Sequence, residues 1–251
     1  MIDLRGRRAL VTGGSRGIGA ATAMLLAECG ADVGIGYRSR ADEAGRVVSA
    51  LAELGVRAFA HQADLSDLAG AESLFERAGR ELGGLDIFVG NAGVWPPDEV
   101  PLARMSDHQW RRTMAENVDA IFYTARAAAR EVADGGRIVL VSSTAGQRGE
   151  AMHADYAASK GAMISLVKSL AVELAPRQVT ANSVAPGWVD TEMVAGAMAA
   201  SGLERIAASI PLGRVATPRD VAGPIVFLCS ELARHVTGEI LNVNGGSVLC
   251  G

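Results

Sequence analysis

Arg8-Ala9-Leu10-Val11-Thr12-Gly13-Gly14-Ser15-Arg16-Gly17-Ile18-Gly19 is an apolar run that breaks into a polar, glycine-rich loop. A helical pattern follows from Ala20 to Cys29 and is closed by Gly30. Strand, glycine loop, helix is the arrangement that aims unpaired backbone N–H groups and the positive end of a helix dipole at a phosphate. The glycines at 13, 17 and 19 depart from the ordinary G-x-G-x-x-G fingerprint, because Thr22 stands where its third glycine would fall. A plain glycine-rich turn is the alternative reading. Position favours the phosphate, since the first βα turn of an open parallel sheet is where dinucleotides sit.

Outward from that loop, apolar strand candidates recur near 8–13, 32–37, 56–62, 86–90, 136–142, 179–185 and 239–243. Helical patterns separate them near 17–29, 41–54, 67–82, 107–133, 155–174 and 218–231. Strict βαβα alternation predicts an α/β fold: a Rossmann-like, doubly wound parallel sheet of about seven strands with helices on both faces. The 251 residues suit a single domain over 1–251. One irregular region, 186–217, is rich in Gly, Ala and Met. Loops of that length are usually functional, so it reads as a substrate lid, with a helical insertion as the alternative.

Apolar residues make up 49% and charged ones 21%, an ordinary globular balance. A net charge of −4 gives no general attraction to nucleic acid or anionic membrane. Cys29, Cys229 and Cys250 form no paired framework, and Met1 to Arg8 is short and charged rather than a signal peptide. A cytoplasmic location is expected. No run approaches the length of a membrane span. The four histidines are scattered and the cysteines lack ligand spacing, so no metal is expected.

Tyr156 and Lys160, in Tyr156-Ala157-Ala158-Ser159-Lys160, lie four apart in an Ala-rich helical stretch and share one face. A phenol with a pKa of about 10 is a poor proton donor or acceptor near neutrality. Moving it to about 7 takes roughly 4 kcal/mol, at about 1.4 per unit. A cation at about 4 Å supplies only about 1 kcal/mol in bulk water, but about 4 at an effective dielectric near 20. Such chemistry needs a partly dry cleft. Chance also puts a Tyr and a Lys on one helical face.

Taken together, the loop at 12–19, Asn91-Ala92-Gly93, Asn117, Ser143 and Tyr156-x-x-x-Lys160 resemble the short-chain dehydrogenase/reductase family. Pro186-Gly187-Trp188-Val189-Asp190-Thr191 and Asn242-Val243-Asn244-Gly245-Gly246 resemble its downstream motifs, in order along nearly the whole chain. The resemblance implies that Ser143 hydrogen-bonds a substrate carbonyl and that Tyr156 exchanges a proton with the same oxygen. It implies that Lys160 lowers the phenol pKa and holds the nicotinamide ribose. Asn117, ill suited to a helix interior, would mark a local break whose carbonyl holds a relay water. Ser143 rather than Ser142 keeps the family's Ser-x-x-Gly spacing and its 13-residue distance to the tyrosine.

The resemblance also implies a nicotinamide cofactor held by Gly13, Ser15, Arg16, Gly17, Ile18 and Gly19 in the loop. After the second strand come Tyr37, Arg38 and Ser39, and after the third Asp64 and Leu65 at the adenine. Asn91, Ala92 and Gly93 would lie along the ribose, with Tyr156, Lys160, Pro186, Gly187, Val189 and Thr191 towards the nicotinamide. Asp64 has a competing role as a turn residue before a helix opened by Ser66. Tyr37 stands where an NAD-binding member has its acid, and Arg38 follows it directly. With Arg16 approaching from the loop, two guanidiniums suit a 2′-phosphate, so NADP(H) is expected.

The pattern, including Ile210-Pro-Leu-Gly-Arg214, is most similar to 3-oxoacyl-carrier-protein reductases. Arg177 matches a basic position that such enzymes turn towards acyl carrier protein, and Arg111-Arg112 adds charge. Glu131 and Asp134 stand instead where a second basic contact is expected, which opposes an acidic partner. The expected substrate is a 3-oxoacyl thioester, with a small ketone, sugar or polyol as the alternative. Trp95-Pro96-Pro97, Met152, His153, Trp188, Met193 and Met198 describe a largely apolar pocket. A non-catalytic NADP-binding regulator is a further alternative. The helix face of Ala157, Ala158, Gly161, Ala162 and Ser165 fits packing against a second copy, and the family resemblance implies a homotetramer.

Overall fold

Seven apolar runs pair into one all-parallel sheet: β1 (Arg8–Thr12), β2 (Asp32–Tyr37), β3 (Ala58–Gln62), β4 (Leu85–Gly90), β5 (Val132–Val141), β6 (Thr180–Pro186) and β7 (Ile240–Val243). The computed structural model describes residues 2–249, apart from the side chains of 200 and 201; Cys250 lies outside the described residues. Cys29 and Cys229 are free thiols. The helices are α1 (Gly17–Glu28), α2 (Ala41–Glu53), α3 (Leu68–Leu82), α4 (Asp107–Met114), α5 (Ala120–Glu131), α6 (Thr144–Arg148), α7 (Ala154–Leu174), α8 (Ala195–Ser201), α9 (Leu203–Ala208) and α10 (Pro218–Leu228).

Successive strand residues point to opposite faces, and both faces are covered, so the strands read as continuous apolar runs. Leu10, Phe88, Ile138 and Leu140 pack into one layer with Leu74, Ile121, Met163 and Val167 of α3, α5 and α7. Val11, Val89, Val139 and Val184 enter the other with Leu26, Leu51 and Ile225 of α1, α2 and α10. The strand order β3-β2-β1-β4-β5-β6-β7 reverses direction between β1 and β4. The crevice beyond the carboxyl ends of those two strands is where such sheets bind ligands.

Three readings change in detail. The single helix expected over 107–133 is divided by a π-helical turn, Ala115–Asp119, where the Ala120 N–H reaches back to the Ala115 carbonyl. Such turns gather at functional sites. Strand β5 begins at Val132, paired with Leu85, and residues 133–136 then bulge out of the ladder, with Gly135 at φ 76°, before Arg137 pairs with Ile87. Asp67, not Ser66, caps α3: its carboxylate accepts from the Ala69 N–H at 3.2 Å. The segment 186–217 contains α8 and α9 and a small core of its own, with Met198, Ile206 and Ile210 buried against Trp188, Val194 and Val215.

Candidate active site

Thr12 ends β1 and ties the two sides of the crevice together. Its hydroxyl accepts from the backbone N–H groups of Asn91 and Ala92, each at 3.0 Å. The Asn91 side-chain amide donates in return to the Thr12 carbonyl at 3.0 Å and to that of Gly13 at 3.2 Å. A Cβ on Gly19 would stand 2.2 Å from the Gly13 carbonyl oxygen, so only glycine lets the first turn of α1 close over the loop. Arg16, the residue before α1, makes no side-chain cap, which leaves the first N–H groups of the helix facing outward.

From that loop a cleft runs along the ends of β1 to β4. Its wall is formed by Gly13, Ser15, Arg16, Gly17 and Ile18, then Tyr37, Arg38 and Ser39, then Asp64 and Leu65, then Asn91, Ala92 and Gly93, with Thr191 on the far side. Asp64 Oδ1 is engaged by the backbone N–H of Ser66 at 3.0 Å and its hydroxyl at 2.7 Å, and this pairing lowers the carboxyl pKa. Three charged residues on the wall, Arg40, Glu116 and Glu192, escaped the sequence reading. Arg40 and Glu192 face each other at 3.5 Å, Glu192 also pairs with Arg16, and Glu116 holds Arg38 at 3.2 Å. Their only sequence signal was adjacency, since Glu116 precedes Asn117 and Glu192 follows Thr191.

Beyond Gly93 the cleft meets α7. A Cβ on Gly93 would stand 3.1 Å from Asn117 Oδ1 and 3.4 Å from Lys160 Nζ, which fixes how closely the three approach. Asn117, fully buried in the π turn, accepts from the Val94 N–H at 2.8 Å and donates to the Val94 carbonyl at 3.0 Å and to Ser159 Oγ at 2.9 Å. It thus locks the loop after β4 against α7. On the other side, a Cβ on Gly146 would collide with the Lys160 backbone at 2.6 Å, so glycine there lets α6 lie against α7.

That contact brings Ser143 beside Tyr156, where its hydroxyl lowers the pKa of the phenol. Ser143 also caps α6, accepting from the Ala145 N–H at 3.1 Å. Ser142 is taken up by the core: it donates to the Val184 carbonyl at 3.1 Å and accepts from Ser183 at 2.7 Å. Lys160 is buried; its ammonium donates to the Val141 carbonyl at 2.9 Å and lies 5.8 Å from the centre of the Tyr156 ring.

Tyr156 and Lys160 share a face as their spacing requires, but the expected acidification of the phenol is not what the protein's own groups produce. Burial pushes Tyr156 up to about 12, Ser143 pulls against that, and the Glu150 carboxylate adds to the rise. Burial also lowers Lys160 to about 8. Desolvation of both groups outweighs their attraction, because the ammonium is turned to a carbonyl rather than to the phenolic oxygen.

Several expected site residues lie elsewhere. Of the expected cofactor residues, Gly19, Tyr156, Lys160, Pro186, Gly187 and Val189 are not on the cleft wall. The Gly187 N–H bonds the Val243 carbonyl at 3.1 Å, and Val189 is buried in the core layer of α1 and α10. Trp188 and Met198 belong to the small core under 186–217, whereas Met193 lines the cleft. His153 is buried, stacked on Trp95 at 4.4 Å, with Glu150 Oε1 3.7 Å from its Nδ1 and 3.4 Å from Trp95 Nε1. The mouth beside Tyr156 is therefore more polar than expected. Among the described residues no helix is long and apolar enough to cross a membrane, and no cluster of ligating side chains could hold a metal.

A doubly wound parallel sheet with a phosphate-type loop at its switch point and a Ser–Tyr–Lys group at the end of the cleft defines a nucleotide-dependent oxidoreductase. The family model described as enoyl-(acyl carrier protein) reductase matches residues 13–247. The chain is 41% identical to cis-4-hydroxycyclohexanecarboxylate dehydrogenase of Sinomonas cyclohexanicum, covering 96% of each. It is 40% identical to a 3-oxoacyl-[acyl-carrier-protein] reductase of Vibrio cholerae, covering 98% of each. The crystal structure of a short chain dehydrogenase from Burkholderia cenocepacia in complex with NADP matches with a TM-score of 0.90 and 39% identity, over 97% of this chain and 98% of that one. The chain belongs to the short-chain dehydrogenase/reductase family and is an oxidoreductase.

Proposed function

We propose that the protein interconverts a free ketone and its alcohol with NADP(H). The observation that carries this reading is Ser143 beside Tyr156 next to Lys160, whose Nζ would lie 3.4 Å from a Cβ on Gly93 of the cleft wall, while the same wall holds Arg16, Arg38 and Arg40. The cleft suits the cofactor: its loop leaves α1 N–H groups unpaired, and no acid follows Tyr37. Gly13, Ser15, Gly17 and Ile18 would hold the pyrophosphate, the arginines the 2′-phosphate, Asp64 and Leu65 the adenine. Asn91 to Gly93 and Lys160 would hold the ribose next to the nicotinamide. When bound, the cofactor supplies or accepts the hydride. Ser143 donates a hydrogen bond to the substrate oxygen, and Tyr156 delivers the proton in reduction and removes it in oxidation. Lys160 keeps a positive charge behind that oxygen, and Asn117 holds the loop after β4 so that the cleft keeps its width.

A carrier-bound 3-oxoacyl thioester is the second reading, supported by the reductase relatives. The basic surface it needs is spent elsewhere. Arg177 donates to the Ala129 and Val132 carbonyls and pairs with Asp134 at 2.8 Å, closing the end of α5. Arg137 is buried and bonds the carbonyls of Gly135 and Gly136. Both facts favour a free substrate. In this reading 186–217 acts as a lid, the chain works in the cytoplasm, and the exposed stripe Ala158, Ala162, Ser165 and Val172 of α7 joins copies into a tetramer.

The test is NADPH consumption with cyclic and hydroxylated ketones, acetoacetyl-CoA and acetoacetyl carrier protein. Free ketones should give the highest kcat/KM. A carrier-protein preference would install the second reading, and no turnover of any carbonyl would leave only a binding protein.

A further inference from the structure

Both Arg16 and Arg40 occupy the residue before a helix, of α1 and α2 respectively, and neither helix has a side-chain cap there. A cation at that end opposes the helix dipole. Asp42 and Glu43 in the first turn of α2 offset its positive end, whereas α1 has no acid in its first turn, so the two guanidiniums and the start of α1 leave one side of the cleft positive. Arg40 Nη1 has Glu43 Oε1 of its own helix at 3.5 Å, but the carboxylate oxygen that bridges the two guanidiniums is Glu192 Oε2, which accepts from Arg16 Nη1 and from Arg40 Nη2 at 3.5 Å. Glu192 comes from the segment after β6, between Thr191 and Met193 on the opposite wall. The two walls touch here, since a Cβ on Gly17 would stand 3.3 Å from the Thr191 methyl.

The third arginine is held differently. Arg38 pairs with Glu116, which is 13% exposed, belongs to the π turn beside Asn117, and is also bonded by Arg112 at 3.2 Å. Glu192 is 57% exposed, and among the described residues its carboxylate pairs with the two cleft arginines alone. An exposed carboxylate pair contributes on the order of 1 kcal/mol or less. A phosphate bearing close to two charges and three acceptor oxygens makes stronger, bidentate bonds to guanidinium. In a direct competition for Arg16 and Arg40 the phosphate wins.

We propose that Glu192 and Arg40 are specificity-determining residues: Glu192 occupies the meeting point of Arg16 and Arg40 and yields it to a cofactor bearing a 2′-phosphate, but not to one lacking it. The proposal rests on the NADP(H) reading. It makes the phosphate do two things. It secures the adenosine end, and it frees the start of 186–217 from the rim.

Dissociation constants for NADPH and NADH would be measured by titration for the wild type, Glu192→Gln and Arg40→Leu. Removing the competing charge should tighten NADPH by about three- to tenfold, the scale of one or two exposed pairs, and leave NADH within about twofold. Arg40→Leu should weaken NADPH by about five- to twentyfold and spare NADH. In wild type, 2′-AMP should speed hydrogen exchange in the 191–199 backbone, whereas 5′-AMP should not. This second readout needs no variant. Equal changes for both cofactors in Glu192→Gln, or no effect of 2′-AMP on exchange, would overturn the competition. If wild type binds NADH as tightly as NADPH, the cofactor reading itself fails, and that is visible before any substitution is made.

Discussion

The reacting centre and the rim of the cleft carry their charges in opposite surroundings. Lys160 is 4% exposed, and its ammonium has one carbonyl and the Met163 sulfur for company. Arg16, Arg38 and Arg40 are 43%, 48% and 48% exposed, each with a carboxylate against it. Burial makes a lone charge destabilising and every neighbour decisive. Exposure makes each pair weak and exchangeable. In the function proposed above, the proton chemistry is therefore held rigidly by buried groups, and ligand choice is left adjustable at the exposed rim.

The largest expected effect tests the rigid end. Tyr156→Phe removes one oxygen and should lower kcat by about 10²–10⁴, the scale of general acid–base catalysis. Thermal melts should move little, because the aromatic ring stays. Near-native turnover by that variant would end the proton-transfer role and leave the cleft a binding site.

Lys160 gives the next effect, and its sign follows from burial. Unfolded, the amine titrates near its ordinary 10.5; folded, burial lowers it to about 8. Below pH 8 both states are protonated and the fold bears the buried cation, at a cost of about 3 kcal/mol from about 1.4 per unit. Between 8 and 10.5 the unfolded chain binds more protons, so this contribution to stability rises with pH. Lys160→Met should therefore melt above wild type at pH 7, with the gap closing through that window. Reductive kcat/KM should fall as pH rises through about 8, when the cation behind the substrate oxygen is lost. A melting gap that ignores pH would show that the folded and unfolded amines bind the proton equally, so that burial does not lower Lys160.

The same contrast explains what the sequence could disclose. Strand and helix order were legible because apolar runs and helical periods are local, and the spacing of Ser143 separated it from Ser142. Asn117 was legible as a break because its side chain suits a helix interior poorly, and the π turn lies there. Burial balance was not legible. The interval from Tyr156 to Lys160 fixes a shared face, but it cannot tell that the amine turns to Val141 or that desolvation outweighs attraction. Nor could Glu192 be read as a partner of Arg16, since a pair 176 residues apart leaves no periodic trace. Arg177 looked like a free contact for the same reason: the carbonyls it bonds end a helix 48 and 45 residues earlier. Short helices such as α8 and α9 lack the length for a repeating pattern.

The smallest effect probes the adjustable end directly. Added salt screens exposed charges beyond a Debye length of about 10 Å at 0.1 M and about 3 Å at 1 M. Raising ionic strength from about 0.05 to 0.5 M should raise the KM for NADPH by about two- to fivefold, because the arginine rim faces solvent. The pH at which reductive kcat/KM falls should stay near 8, since no salt reaches Lys160. Steady-state profiles at the two salt concentrations separate the terms. A midpoint that moves with salt while KM stays fixed would reverse the assignment, putting the sensitive charge at the reacting centre and the insulated ones at the rim.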